Sequence, residues 1–164
     1  MARPLPLTIL AALALCAAAA PAQPPAAPVL TAALAEAIVA GCRTHADAKR
    51  QSHAVAVVDS GGHLVAALRM EGNRAGMMDF SIEKAKAVAA WGFATAQMEE
   101  AAKGTPGFAR APGVVTVAGG VPVFAADGRT LIGAAGASGE APADDAACVE
   151  AGIKAAGLLS QRRR

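Results

Sequence analysis

The chain has 164 residues, 54% hydrophobic and 17% charged, with three cysteines, one tryptophan and no tyrosine. A length of this order makes one domain with room for a proper core. The formal charge of +2 leaves no excess of cations to neutralise a run of phosphates, which excludes nucleic acid as the natural partner.

In chain order, residues 1–22 read as a secretory signal peptide: Arg3, an apolar run from Leu5 to Ala20, then small residues up to Ala22, after which cleavage is expected. The run is shorter than the roughly 18–20 apolar residues a membrane-crossing helix needs, so no transmembrane segment is expected and the protein should be periplasmic or secreted. Cys16 follows Leu15, where a lipid-attachment motif wants a small residue. Residues 23–29 are expected to be an unstructured leader, residues 30–160 the folded domain, and residues 161–164 a fraying basic tail. Three arginines fall below the roughly four to eight cations of a dedicated lipid-binding cluster.

Within the domain, Leu34, Ile38, Cys42 and His45 recur at helical spacing, which predicts a first helix from Leu30 to about Lys49. Ala54–Val58 and Leu64–Leu68 flank Asp59-Ser60-Gly61-Gly62 and predict a β-hairpin. A second helix is expected from Ser81, read as its cap, to about Thr95, with a core face of Ile82, Ala85, Ala89 and Phe93. A second stripe carries Lys84, Val88, Trp91 and Thr95 if that helix is continuous. A short helix, Ala96–Lys103, should follow.

Three strands are then expected, Val114–Ala118, Val121–Phe124 and Thr130–Ala137, the last two joined at Asp127-Gly128. Pro122 lacks an amide and points to a sheet edge or bulge. The final helix, Pro142–Leu159, has proline in its first turn followed by Asp144 and Asp145, where carboxylates stabilise a helix start. The fold class is therefore α+β: a single-domain α-β-α sandwich with a mainly antiparallel five-stranded sheet.

Several familiar chemistries are missing. The glycines from Gly133 to Gly139 do not form GxGxxG or a Walker loop, and Asp144 and Asp145 would repel a phosphate there. No Gly-x-Ser-x-Gly elbow surrounds Ser138. His45, His53 and His63 share no metal-site spacing, and Met70, Met77, Met78 and Met98 read as packing residues, so no metal centre is expected. Cys42 and Cys148 belong to no CxxC or zinc pattern. Both are expected on helices lying side by side, where Gly152 and Ala155 permit close approach; a disulfide and two buried thiols are both compatible with that placement.

Taken together, Val55 to Gly62, Leu68 to Gly72, Lys84-Ala85, Gly119 to Val123, Ile132 to Gly139, and Asp144-Asp145 ahead of Cys148 to Ile153 resemble the GlcG/HbpS family of haem-binding-like proteins. The order and spacing of these pieces span nearly all of residues 23–164. The resemblance implies a compact, usually self-assembling sandwich whose better-studied members bind haem outside the cytoplasm or accompany small-molecule metabolism. A threonine after the second helix is implicated near the iron in haem-binding members. Thr95 is the matching residue, with Ala94 where a proline is common.

Haem is accordingly the expected cofactor, in a pocket from Lys84, Trp91 and Thr95 with an edge contribution from Arg69. A second expectation places a small hydroxy-acid-type metabolite near Gly119, Gly120, Ser138 and Asp145, as substrate of an enzyme or ligand of an accessory protein. A third makes the chain a homo-oligomeric assembly module or the partner of a membrane sensor.

Overall fold

The computed structural model describes residues 27–163; the expected signal peptide, most of the expected leader, Cys16 and Arg164 lie outside the described residues. Thr31 caps the first helix, α1 (Ala32–Lys49), its hydroxyl accepting from the Leu34 amide at 3.2 Å. Strands β1 (Ala54–Asp59) and β2 (Leu64–Arg69) form the expected hairpin. Helices α2 (Ala75–Trp91) and α3 (Thr95–Gly104) lead through a 3-10 turn at Phe108–Arg110 to β3 (Gly120–Phe124) and β4 (Leu131–Ser138). Helix α4 (Pro142–Ala155) completes the fold. No helix among the described residues is long and apolar enough to cross a membrane.

The sheet is antiparallel throughout, in the order β2-β1-β4-β3. Successive side chains of a strand point to opposite faces, and β1 serves two cores. Val55 and Val57 join Ile38, Cys42, Cys148 and Ile153 beneath α1 and α4, while Val58 meets Ala85, Val88 and Ala134 beneath α2. The small residues of β4 let α2 lie close: a Cβ on Gly136 would stand 2.2 Å from the Ser81 carbonyl oxygen. Helices α1 and α4 touch just as closely, since a Cβ on Gly152 would fall 2.2 Å from the Ile38 carbonyl oxygen. Between them Cys42 and Cys148 form a disulfide, with Cα atoms 4.6 Å apart.

Four differences from the sequence reading have physical causes. The sheet has four strands, not five, because Val114–Ala118 is an unpaired connector. Its β-branched composition reflects partial burial, and the chain joins β4 only where Gly119, at φ 123°, accepts the Ala137 amide. Helix α2 begins at Ala75, so Ser81 is not its cap; the Ser81 hydroxyl, mid-helix, donates toward the carbonyls of Met77 and Ala54. That helix stops at Trp91, where Gly92 adopts the left-handed conformation, so Thr95 opens α3 instead of closing α2. Finally, α4 ends at Ala155, and the tail as far as Arg163 is held rather than frayed. Leu159 exchanges two backbone hydrogen bonds with Phe124, at 2.8 and 3.1 Å, and the Arg163 amide donates to Gly128.

Candidate functional site

Lys84 and Thr95 of one expected pocket meet Gly119, Gly120, Ser138 and Asp145 of the other at one end of the sheet. Lys84, from α2, is 1% exposed; its ammonium donates to the Ala137 carbonyl at 2.8 Å and to Asp145 Oδ2 at 3.1 Å, and lies 4.8 Å from the Phe80 ring centre. The other Asp145 oxygen accepts from His53 Nδ1 at 3.0 Å and from the Glu140 amide at 3.2 Å. Burial alone raises the Asp145 carboxyl, but the His53 hydrogen bond, the Lys84 charge and the Glu140 amide outweigh it and hold the group below the usual carboxylate value. For Lys84 burial wins over the attraction of Asp145, and its ammonium is easier to deprotonate than an ordinary lysine.

Glycines make room for this cluster. A Cβ on Gly119 would lie 2.6 Å from Lys84 Nζ and equally close to the Ala137 oxygen. One on Gly120 would meet the Lys84 carbonyl oxygen and Thr95 Cγ2, each at 2.7 Å. Thr95 is fully buried, and its Oγ1 accepts the Gly120 amide at 2.9 Å. Ser138 is buried too, its hydroxyl without a hydrogen-bond partner among the described residues.

Lys84, Thr95, Gly119, Gly120, Ser138 and Asp145 therefore form a packed polar core. An acid–base role for Asp145 has no open approach, because the residue is 2% exposed and both oxygens are engaged. His53 is the member the sequence reading left out. It stands 92 residues before Asp145, and the link exists only because Ala54, beside it, pairs with Ser138 across β1 and β4.

Trp91 and Arg69 lie elsewhere. Trp91 is 39% exposed, donates to the Pro112 carbonyl, and sits edge-on to Phe93 and Phe108. Arg69 belongs to β2, the opposite edge from β3, and its guanidinium binds the Asn73 carbonyl.

An open cleft of about 580 Å³ lies along the outer edge of β3, between the α2–α3 turn and the C-terminal tail. Its walls include Phe93, Gln97, Pro122, Phe124, Glu150 and Arg162. Gln97 Oε1 accepts the Ala94 amide at 3.0 Å, which leaves its NH₂ as a donor, and the Arg162 guanidinium stands 5.8 Å from the Phe124 ring centre. Trp91 and Thr95 flank this cleft without lining it: Trp91 supports Phe93 edge-on, and Thr95 ties α3 to Gly120 at the start of β3. The volume falls within the roughly 300–1,000 Å³ of small-molecule sites. Among the described residues, no group of three or more His, Cys, Asp or Glu is placed to hold a metal ion.

The comparisons agree with this architecture. A family model described as haem degrading protein HbpS-like matches residues 30–154. Protein GlcG of Escherichia coli strain K12 is 37% identical over 111 residues, 67% of this chain and 81% of its own length. The crystal structure of a PduOC–haem complex shares the fold with a TM-score of 0.74 at 22% identity, covering 82% of this chain and 99% of that one. The crystal structure of HbpS does so with a TM-score of 0.72 at 24% identity, covering 84% and 96%. The matched span takes in every strand and helix from α1 to β4 and nearly all of α4, and with it the buried Lys84–Asp145 cluster; the chain belongs to the HbpS-like family.

Proposed function

We propose that this protein is an exported binder of haem, or of a similarly flat ligand bearing carboxylates, and that the ligand sits in the cleft along β3. The observation that carries the reading is the pairing of walls: half-buried Phe93 stands over a floor of buried Pro122 and Phe124, and exposed Arg162 stands at the same cleft as a carboxylate partner. The family, and a structural neighbour solved with haem, support the same ligand class.

The residues that would meet such a ligand are Phe93 for its apolar body and Arg162 and the Gln97 NH₂ for its carboxylates. Haem iron is ordinarily held by His, Met, Cys or Tyr, and none of these lines the cleft. Thr95 and Lys84 act behind it as positioning residues, the first fixing α3 against β3 and the second fixing α2 against the start of α4.

Titration of the purified protein with haemin tests the reading. A saturable Soret shift at micromolar haemin, weakened by Arg162→Gln and by Phe124→Ala, is the expected result; no shift at that concentration rejects it. Export rests on the leader and is favoured by the Cys42–Cys148 disulfide, which belongs to an oxidising compartment. Mass spectrometry of the protein from its native host is expected to find Gln23 at the N-terminus.

A further inference from the structure

We infer that the cleft recognises the tetrapyrrole and not its iron, so that a metal-free porphyrin dicarboxylate is as good a ligand as haem. This rests on the cleft being the binding site, as proposed above.

The donors that hold haem iron are all accounted for elsewhere in the described chain. Cys42 and Cys148 are buried and bonded to each other. His53 is buried against Asp145, and His63 is on the β1–β2 turn beside Asp59, away from β3. His45 is on α1. Met70 and Met98 are buried, and Met77 and Met78 belong to the first turns of α2. There is no tyrosine. Thr95 is fully buried, with Oγ1 turned onto the Gly120 amide. What the cleft offers is the half-buried Phe93 ring, the Gln97 amide and the Arg162 guanidinium, none of which distinguishes iron from two protons at the porphyrin centre. Glu150 is the one carboxylate on the wall. It faces ligand carboxylates of like charge, which opposes binding of both porphyrins equally.

Trp91 is the only tryptophan, and it sits 6.4 Å from Phe93, ring centre to ring centre, so its fluorescence reports occupancy of the cleft. Haemin and protoporphyrin IX are titrated separately into the full protein while that emission is followed. Dissociation constants within about tenfold of each other are expected, with Arg162→Gln weakening both by about fivefold, as a partly exposed charge pair should. Glu150→Gln is expected to tighten both slightly and alike, since it removes the same like-charge opposition from each. A preference for haemin of about tenfold or more, or a loss of haemin alone in Glu150→Gln, overturns the inference while leaving haem binding intact. Failure of both ligands to bind, or indifference of both to Arg162→Gln and Phe124→Ala, overturns the cleft assignment itself. Thermal unfolding checks that each variant keeps the fold; Arg162 and Glu150 are exposed, whereas Phe124 is buried, so a loss of binding in Phe124→Ala counts only where its unfolding midpoint shows a folded protein.

Discussion

Lys84 and Asp145 meet at 3.1 Å although their helices lie on opposite faces of the sheet, so the ion pair ties α2 to α4 past the strand ends. Both are essentially out of water, at 1% and 2% exposure. Removing one partner of such a pair leaves a buried, uncompensated charge, which typically costs about 3–5 kcal/mol. Lys84→Met and Asp145→Leu are each expected to destabilise by that order in urea unfolding. The double variant should cost clearly less than the sum, because it leaves neither charge behind. Strict additivity would mean that the two groups do not act as a pair.

The same cluster sets a pH dependence with one sign at both ends. Asp145 is held below the ordinary carboxylate value of 3.8, burial opposing and the His53 hydrogen bond and Lys84 charge prevailing. The unfolded chain therefore binds the proton first as the medium acidifies; this stabilisation is complete above the ordinary value and is lost as pH falls through the folded one. Lys84 is depressed by burial from its ordinary 10.5. Between its folded value and 10.5 the unfolded chain again holds the extra proton, so stability rises with pH there as well. Unfolding midpoints measured across pH should rise on both limbs, and Lys84→Met should flatten the alkaline one. An alkaline limb unchanged in that variant would assign the slope to another group.

How much of this was legible in the sequence depends on range. Local signals held: the Gly61-Gly62 hairpin, the Asp127-Gly128 turn, and Pro122 on an edge strand beside a register shift; at long range, the side-by-side helices carrying Cys42 and Cys148 held as well, while the choice between a bridge and two thiols was not legible there. The opening turns of α2 were invisible because Ala75 to Phe80 are mostly exposed and carry no apolar periodicity. Val114–Ala118 looked like a strand because β-branched composition reports burial, and here the part-buried segment pairs with no strand. The stripe from Lys84 to Thr95 assumed helical geometry through Gly92, and one left-handed residue sends Trp91 outward and Thr95 inward. The partnership of His53 with Asp145 depends on strand register, which spacing along the chain does not encode.

Close approach of α1 and α4 makes Gly152 a packing residue. Its added Cβ would meet the Ile38 carbonyl at 2.2 Å and the Cys42 amide nitrogen at 3.1 Å, and backbone atoms cannot move aside as a flexible side chain would. Gly152→Ala is expected to cost about 1–3 kcal/mol through overpacking, despite alanine's better helix propensity. Gly76, in the first turn of α2 with nothing within 4 Å of an added Cβ, is the control. Gly76→Ala should be neutral or stabilising by up to about 1 kcal/mol. Equal midpoints for the two variants would remove the packing argument.

The disulfide between Cys42 and Cys148 closes a loop of 106 residues around the sheet, joining the first helix of the domain to the last. Loop-closure entropy for a span of this order predicts about 4–5 kcal/mol, and measured bridges more often give about 2–4. Both sulfurs lie in residues with no exposure, so reductant reaches them only when α1 and α4 part. The denatured, unreduced protein is expected to show no free thiol from this pair, whereas two per chain would deny the bridge. Replacement of both cysteines by alanine should lower stability by about 2–4 kcal/mol. In the intact protein reduction should follow the rate of opening and saturate with reductant concentration; reduction that stays first order in reductant, at a rate typical of an exposed bridge, would contradict the burial described here.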